Sequence, residues 1–145
     1  MTQIYNRKTL FLLFLINILS TSCKKKDPFP IPNVPVNILI NLDLPAYQPL
    51  TAPGGWIYVE GGSRGIVVYR NFDKFVALDR HSTYNSEEPC AIVSVDSINY
   101  FHLKDSCSES IFSILDGTVI QGPAKWGLKQ YSTSWDGQYT LNIYN

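Results

Sequence analysis

The chain has 145 residues, enough for one domain with a real core once a leader is set aside. Twelve basic residues balance twelve acidic ones, so the chain lacks the basic face that nucleic-acid binding requires. Aromatics are plentiful and charged residues few, and Val, Ile, Tyr and Thr recur in short runs, a composition that favours strands over helices.

The chain opens on an export pattern. Arg7-Lys8 is a short basic region, and Leu10–Leu19 is an apolar run broken only by Asn17. The run is too short to cross a bilayer as a helix, which takes about 20 residues. Ser20, Thr21 and Ser22 follow, and then Cys23. This order predicts a secretory signal peptide over residues 1–22. A Cys directly after the small residues resembles a bacterial lipoprotein signal, in the relaxed form of Bacteroidetes-like lipoproteins, since Ser20 stands where Leu is usual. The resemblance implies that Cys23 becomes the acylated first residue, with a palmitate-type anchor. It implies a cell-envelope address, lipid-anchored to a membrane, most simply the outer one, on its periplasmic or surface face. The plainer alternative is an ordinary cleaved signal with an unassigned Cys. Losing the leader would leave ten basic residues against twelve acidic, a mildly acidic domain.

Residues 23–35 read as a Pro-rich tether, because KKKDPFPIPNVP mixes charge with four prolines and has no core-forming period. Its Lys run could touch anionic lipid, or simply be solvated. The domain is expected over residues 36–145. Val36–Leu42 is a first strand, and Pro45, Pro49 and Pro53 then break regular structure through a long loop. Trp56–Val59 and Ile66–Tyr69 pair around the turn Gly61–Gly65. No Lys-Ser/Thr and no helix follow those glycines, which argues against a phosphate loop. Phe75–Asp79 is another strand and Arg80–Pro89 a polar loop. Cys90–Val95 and Ile98–Leu103 pair around Asp96-Ser97, and Leu128–Ser132 and Tyr139–Tyr144 close the domain around Asp136-Gly137. Many short strands without a helical period predict an all-β sandwich or small barrel of antiparallel strands.

Between them lies the densest stretch, Asp105–Ala124. Phe112, Ile114 and Val119 can share one sheet face, since strand side chains alternate. Asp116-Gly117 is the dipeptide of a tight hairpin, whose two central residues take positive φ. Cysteine counting adds a constraint. Three Cys are an odd number for an exported chain, and if Cys23 carries lipid, Cys90 and Cys107 remain as a pair in a compartment where a disulfide persists.

Three motifs then converge: F-x-A-x-D-R at Phe75–Arg80, S-x-F-x-x-x-D-G at Ser110–Gly117, and G-P-A-x-x-x-L-x-x-Y at Gly122–Tyr131. Together they resemble the Rieske iron–sulfur domain family, over the span from Gly65 to the C-terminus. The resemblance implies a Rieske-like all-β fold with a cluster-type hairpin. The family's two-iron cluster is held by two Cys and two His, in loops reading C-x-H and C-x-x-H. In register with Asp79-Arg80, Ser82 falls where the first Cys ligand belongs and Tyr84 where the first His belongs. Counted back from Ser110 and Phe112, Asp105 falls at the second Cys position and Ser108 at the second His position. All four are oxygen side chains, whereas an iron–sulfur cluster needs soft thiolate. The resemblance thus implies a ligand-less member, with no cofactor and no metal. One large group of the family also ties its two loops by a disulfide. Cys107 falls at one of its positions, and Cys90 lies three residues beyond the other.

Competing chemistries are weaker. His81, Cys90, His102 and Cys107 contain the atom types of a zinc site, but no C-x-x-C or H-x-x-x-H pair is present and export favours the disulfide. His81 reads as a loop residue and His102 as a strand residue facing water. Ser82 beside His81 is not a triad, and Asp79 either pairs with Arg80 or caps a turn. Glu87-Glu88 are adjacent rather than opposed. No catalytic residue is expected. The leading reading is a non-catalytic envelope lipoprotein, a binding or assembly component acting on an unknown envelope protein or ligand. The rival is a [2Fe–2S] or other metal-binding electron-transfer protein.

Overall fold

A computed structural model describes residues 29–145. The expected signal peptide, Cys23 and the first part of the tether lie outside the described residues. None of the described helices is long and apolar enough to cross a membrane.

Among the described residues ten strands follow in chain order: β1 (Asn37–Asn41), β2 (Trp56–Val59), β3 (Ile66–Asn71), β4 (Lys74–Asp79), β5 (Val93–Val95), β6 (His102–Asp105), β7 (Ile111–Ser113), β8 (Val119–Gln121), β9 (Gln130–Trp135) and β10 (Thr140–Tyr144). They form a six-stranded sheet, β1-β10-β9-β4-β3-β2, and a four-stranded sheet, β5-β6-β7-β8. Every pairing is antiparallel. The all-β expectation is met.

β3 and β4 read as nearly unbroken apolar runs because both of their faces are covered. Ile66, Val68, Phe75 and Ala77 face one cluster, with Ile40, Leu50, Tyr131, Leu141 and Ile143. Val67, Tyr69, Val76 and Leu78 face the other, with Val93, Leu103, Phe112, Ile114 and Leu128. The large sheet can gather the first cluster because its halves join through a short pairing, Ala77↔Tyr131 and Leu78↔Gln130. The second cluster lies between β3–β4 and the small sheet. Burying a side chain such as Leu103 or Phe112 contributes about 1.5–3 kcal/mol each, so the small sheet is held by its inner face.

Several local expectations change. The proline loop contains a 3-10 helix, Pro45–Thr51, whose Leu50 is fully buried. Pro at the first turn needs no N–H there, and the short 3-10 form tolerates Pro49. The strands expected at Cys90–Val95 and Ile98–Leu103 shrink to β5 and β6, with residues 96–101 in a wider connection that leaves Ile98 exposed. Asp96 Oδ1 caps that connection by accepting the Ile98 N–H at 2.8 Å. The β7–β8 turn is also longer than two residues. Only Gly117 has positive φ, +73°, while Asp116 Oδ1 accepts from Thr118 N at 3.0 Å and Thr118 Oγ1 at 2.8 Å. An aspartate that closes its own turn needs no left-handed φ.

The domain also begins earlier than Val36. Ile31 is buried, the Phe29 ring meets Trp126 edge-on at 6.3 Å, and Asn145 Nδ2 donates to Val34 O at 2.8 Å. The part of the expected tether from residue 29 onward is therefore packed on the domain, with Pro30 O accepting from Ser86 Oγ at 2.7 Å and Asn33 Oδ1 from Lys129 Nζ.

Candidate functional site

The β4–β5 loop and the β6–β7 loop meet at one end of the small sheet; the β5–β6 and β7–β8 connections lie at the other. The candidate site is the tip made by the first two loops. Cys90 and Cys107 join them by a disulfide, S–S 2.03 Å and Cα–Cα 5.6 Å.

Asp79, at the end of β4, anchors the first loop from beneath. It is fully buried. Its Oδ2 accepts from Ser63 N at 2.7 Å and Tyr131 Oη at 2.7 Å. Its Oδ1 accepts from His81 N at 2.9 Å and Arg64 N at 3.3 Å. Four donors satisfy one carboxylate, as a buried charge requires. Asp79 thus caps the Gly61–Gly65 turn and does not pair with Arg80, whose guanidinium lies 3.8 Å over the Tyr58 ring and donates to Val93 O at 3.0 Å. Gly62 is required there, with φ +62° and no room for a Cβ, which would lie 2.6 Å from both Asp79 Oδ2 and Tyr131 Oη. Burial, and then the bond to Asp79, hold the Tyr131 phenol well above its ordinary pKa, so it stays a donor.

The turn in turn holds the loop. Arg64 Nη1 donates to the carbonyls of Glu88, Pro89 (3.2 Å) and Ala91 (3.3 Å), and Nη2 to Ser86 O at 3.1 Å. His81 is a buried, bridged residue opposite Ile92, not a free loop residue. Its Nε2 lies 2.7 Å from Ser86 O and its Nδ1 2.7 Å from Ser63 Oγ. A carbonyl only accepts, so the Nε2 proton points at Ser86 and Ser63 serves Nδ1. Ser82 is fully buried and donates its N–H to Ala91 O at 3.0 Å. Tyr84 is half-buried against the second core cluster. Thr83 Oγ1 donates to Trp126 O, tying the loop to the segment after the cis peptide Gly122-Pro123.

The second loop is closed by its own side chains. Asp105 is fully buried; its Oδ1 accepts from Cys107 N at 2.9 Å and its Oδ2 from Ser108 Oγ at 2.6 Å. Ser110 Oγ lies 2.9 Å from Ser108 Oγ and accepts from Ala124 N at 3.0 Å. Ser108 spends its single proton on the carboxylate, so Ser110 supplies the proton between the two hydroxyls.

The structure therefore brings the loops of Ser82 and Tyr84 and of Asp105 and Ser108 to one tip. The donor set does not fit an iron–sulfur cluster. It offers hard oxygens, Asp105 and Ser108 are turned onto each other, and the two cysteines are spent on each other. His81, Cys90, His102 and Cys107 are not gathered either; among the described residues no three His, Cys, Asp or Glu side chains form a metal-holding group. His102, half-buried on β6, has its Nε2 3.1 Å from Asn99 Nδ2. Arg64 escaped the sequence reading. Its partners lie 22 to 27 residues away, and nothing local marks an Arg that donates only to carbonyls.

Two sheets around a shared core, with two loops meeting at a cis Gly-Pro corner, are the Rieske-type fold. The plasma membrane Rieske protein PetC3 from the cyanobacterium Synechocystis PCC 6803 has the same fold, with TM-score 0.55 and 20% identity over 74% of this chain and 99% of its own. The ferredoxin of carbazole 1,9a-dioxygenase from Nocardioides aromaticivorans IC177 is also similar, at TM-score 0.46 and 17% identity over 78% of this chain and 100% of its own. No family model and no curated protein sequence matches the chain.

Proposed function

We propose that this chain is a non-catalytic, lipid-anchored protein of the cell envelope whose Rieske-type domain holds no cluster and serves binding or assembly. The observation that supports this most is the second loop. Asp105 and Ser108 stand at two of the four positions implied by the family motifs, and they bond each other at 2.6 Å. Two ligand positions that bond one another are committed to closing their own loop, and neither supplies a thiolate or an imidazole. Ser82 and Tyr84 at the other two positions add neither thiolate nor imidazole. The envelope address rests on the order of basic, apolar and small residues that ends at Cys23.

The test is elemental and spectroscopic. Anaerobically purified protein is analysed for iron, acid-labile sulfide and zinc, and its visible and EPR spectra are recorded after reduction. The expected result is a colourless, EPR-silent protein without stoichiometric metal. A Rieske-type signal with about two irons per chain would overturn the reading and establish the electron-transfer alternative.

A further inference from the structure

The tip carries one covalent bond that can be chemically opened and closed, and it faces solvent. Cys90 and Cys107 are both exposed. A disulfide that braces a core is ordinarily shielded, and exposed ones are the labile or regulatory class. Exposure alone does not make a switch, because opening a bridge can simply unfold a domain. Here each loop has its own non-covalent anchors. The Cys90 side is held by Arg64 on four carbonyls and by His81 on Ser86 O. The Cys107 side is held by Asp105, Ser108 and Ser110, and through Ser110 to Ala124. Breaking the S–S bond therefore unties one loop from the other and leaves both attached to the sheets.

We infer that the Cys90–Cys107 bridge is a thiol–disulfide exchange site, opened by a dithiol donor and reclosed by a disulfide acceptor without unfolding of the domain. The incoming thiolate attacks one sulfur of the bridge, a new S–S bond forms there, and the old bond breaks with its electron pair on the other sulfur, which takes a proton from water. The donor's second thiolate then attacks its own sulfur in the mixed disulfide, and the second cysteine leaves as a thiolate and is protonated. The donor gives up two electrons and two protons, and the bridge becomes two thiols. This step goes beyond the binding role proposed above and holds whether or not Cys23 is acylated.

The experiment uses the mature full chain with glutathione as the probe. The protein is equilibrated in reduced/oxidised glutathione buffers under native conditions, quenched by alkylation and mapped by mass spectrometry. Thermal unfolding of the fully reduced form is followed in parallel. The expected result is complete, reversible opening, a cooperative unfolding transition in the reduced form, and a transient glutathione adduct on one of the two cysteines. A bridge that opens only under denaturing conditions, or a reduced form with no cooperative transition, overturns the inference. If the reduced wild type precipitates, the Cys90→Ser/Cys107→Ser variant decides the structural arm: loss of its cooperative unfolding counts against the inference, and retention supports it.

Discussion

Replacing Tyr131 by Phe isolates the group that ties β9 to the loop anchor. The change deletes one hydroxyl and keeps the ring, so the first core cluster stays filled and the contact of Lys129 Nζ with the ring face, 5.4 Å from its centroid, is retained. What is lost is a 2.7 Å bond to a fully buried carboxylate, which keeps its three N–H donors from Ser63, Arg64 and His81. A hydrogen bond to a charged group contributes about 1.5–3 kcal/mol, and that is the expected loss at pH 7. For a domain of this size it lowers Tm by roughly 6–12 °C. The pH dependence gives a second, independent readout. The folded phenol titrates above its ordinary value of 10.0, so below pH 10 its contribution is fully present. As pH rises past that value the unfolded chain ionises first, and the contribution is lost as pH approaches the raised folded pKa. The gap between wild type and Tyr131→Phe in urea unfolding should therefore narrow above about pH 10. A loss below about 0.5 kcal/mol at pH 7, the range of an ordinary surface change, would refute the anchoring role of Asp79.

The other expectations are simpler. Gly62→Ala places a Cβ 2.6 Å from Asp79 Oδ2 and Tyr131 Oη at φ +62°, and should destabilise by about 1–3 kcal/mol in thermal unfolding; a neutral result would mean that the turn relaxes freely. Cys90→Ala/Cys107→Ala opens a closed loop with a sequence separation of 17 and should cost about 3 kcal/mol in denaturant unfolding while the far-ultraviolet spectrum is preserved. Cys23→Ala should release the protein from the membrane fraction, and continued membrane association of that variant would show that the anchor lies elsewhere.

Much of the fold was legible because its cause is local. Apolar runs at Ile66–Tyr69 and Phe75–Asp79 announced the central pair, and the Ser110–Gly117 motif located the hairpin whose Phe112 and Ile114 are fully buried. The errors fall where tertiary contacts override local pattern. Ile98 and Tyr100 look like strand residues, yet they sit in a connection capped by Asp96 and are exposed. Ile31 lies among prolines and charges, and its burial follows from the way its neighbours dock on the domain, Phe29 on Trp126 and Pro30 O on Ser86 Oγ. At the tip, the cysteine pair was legible from cysteine counting. The role of Arg64 was not, since its carbonyl acceptors are defined by the path of a distant loop and by no side chain that a sequence displays.

The way the tip loops are held has a consequence for what may be written on them. Asp79, His81 and Arg64 grip the first loop from the sheet side, and Asp105 and Ser110 grip the second, so the folding information lies underneath. Outward residues such as Glu87 and Ser106 are exposed and carry none of those bonds. Their identities can drift, or be randomised in a library, at little cost to the domain, since surface changes away from such anchors usually stay within about 0.5 kcal/mol. The domain is in that sense a display platform: a fixed underside with a rewritable upper surface, on which a new recognition sequence can be grafted without redesigning the core.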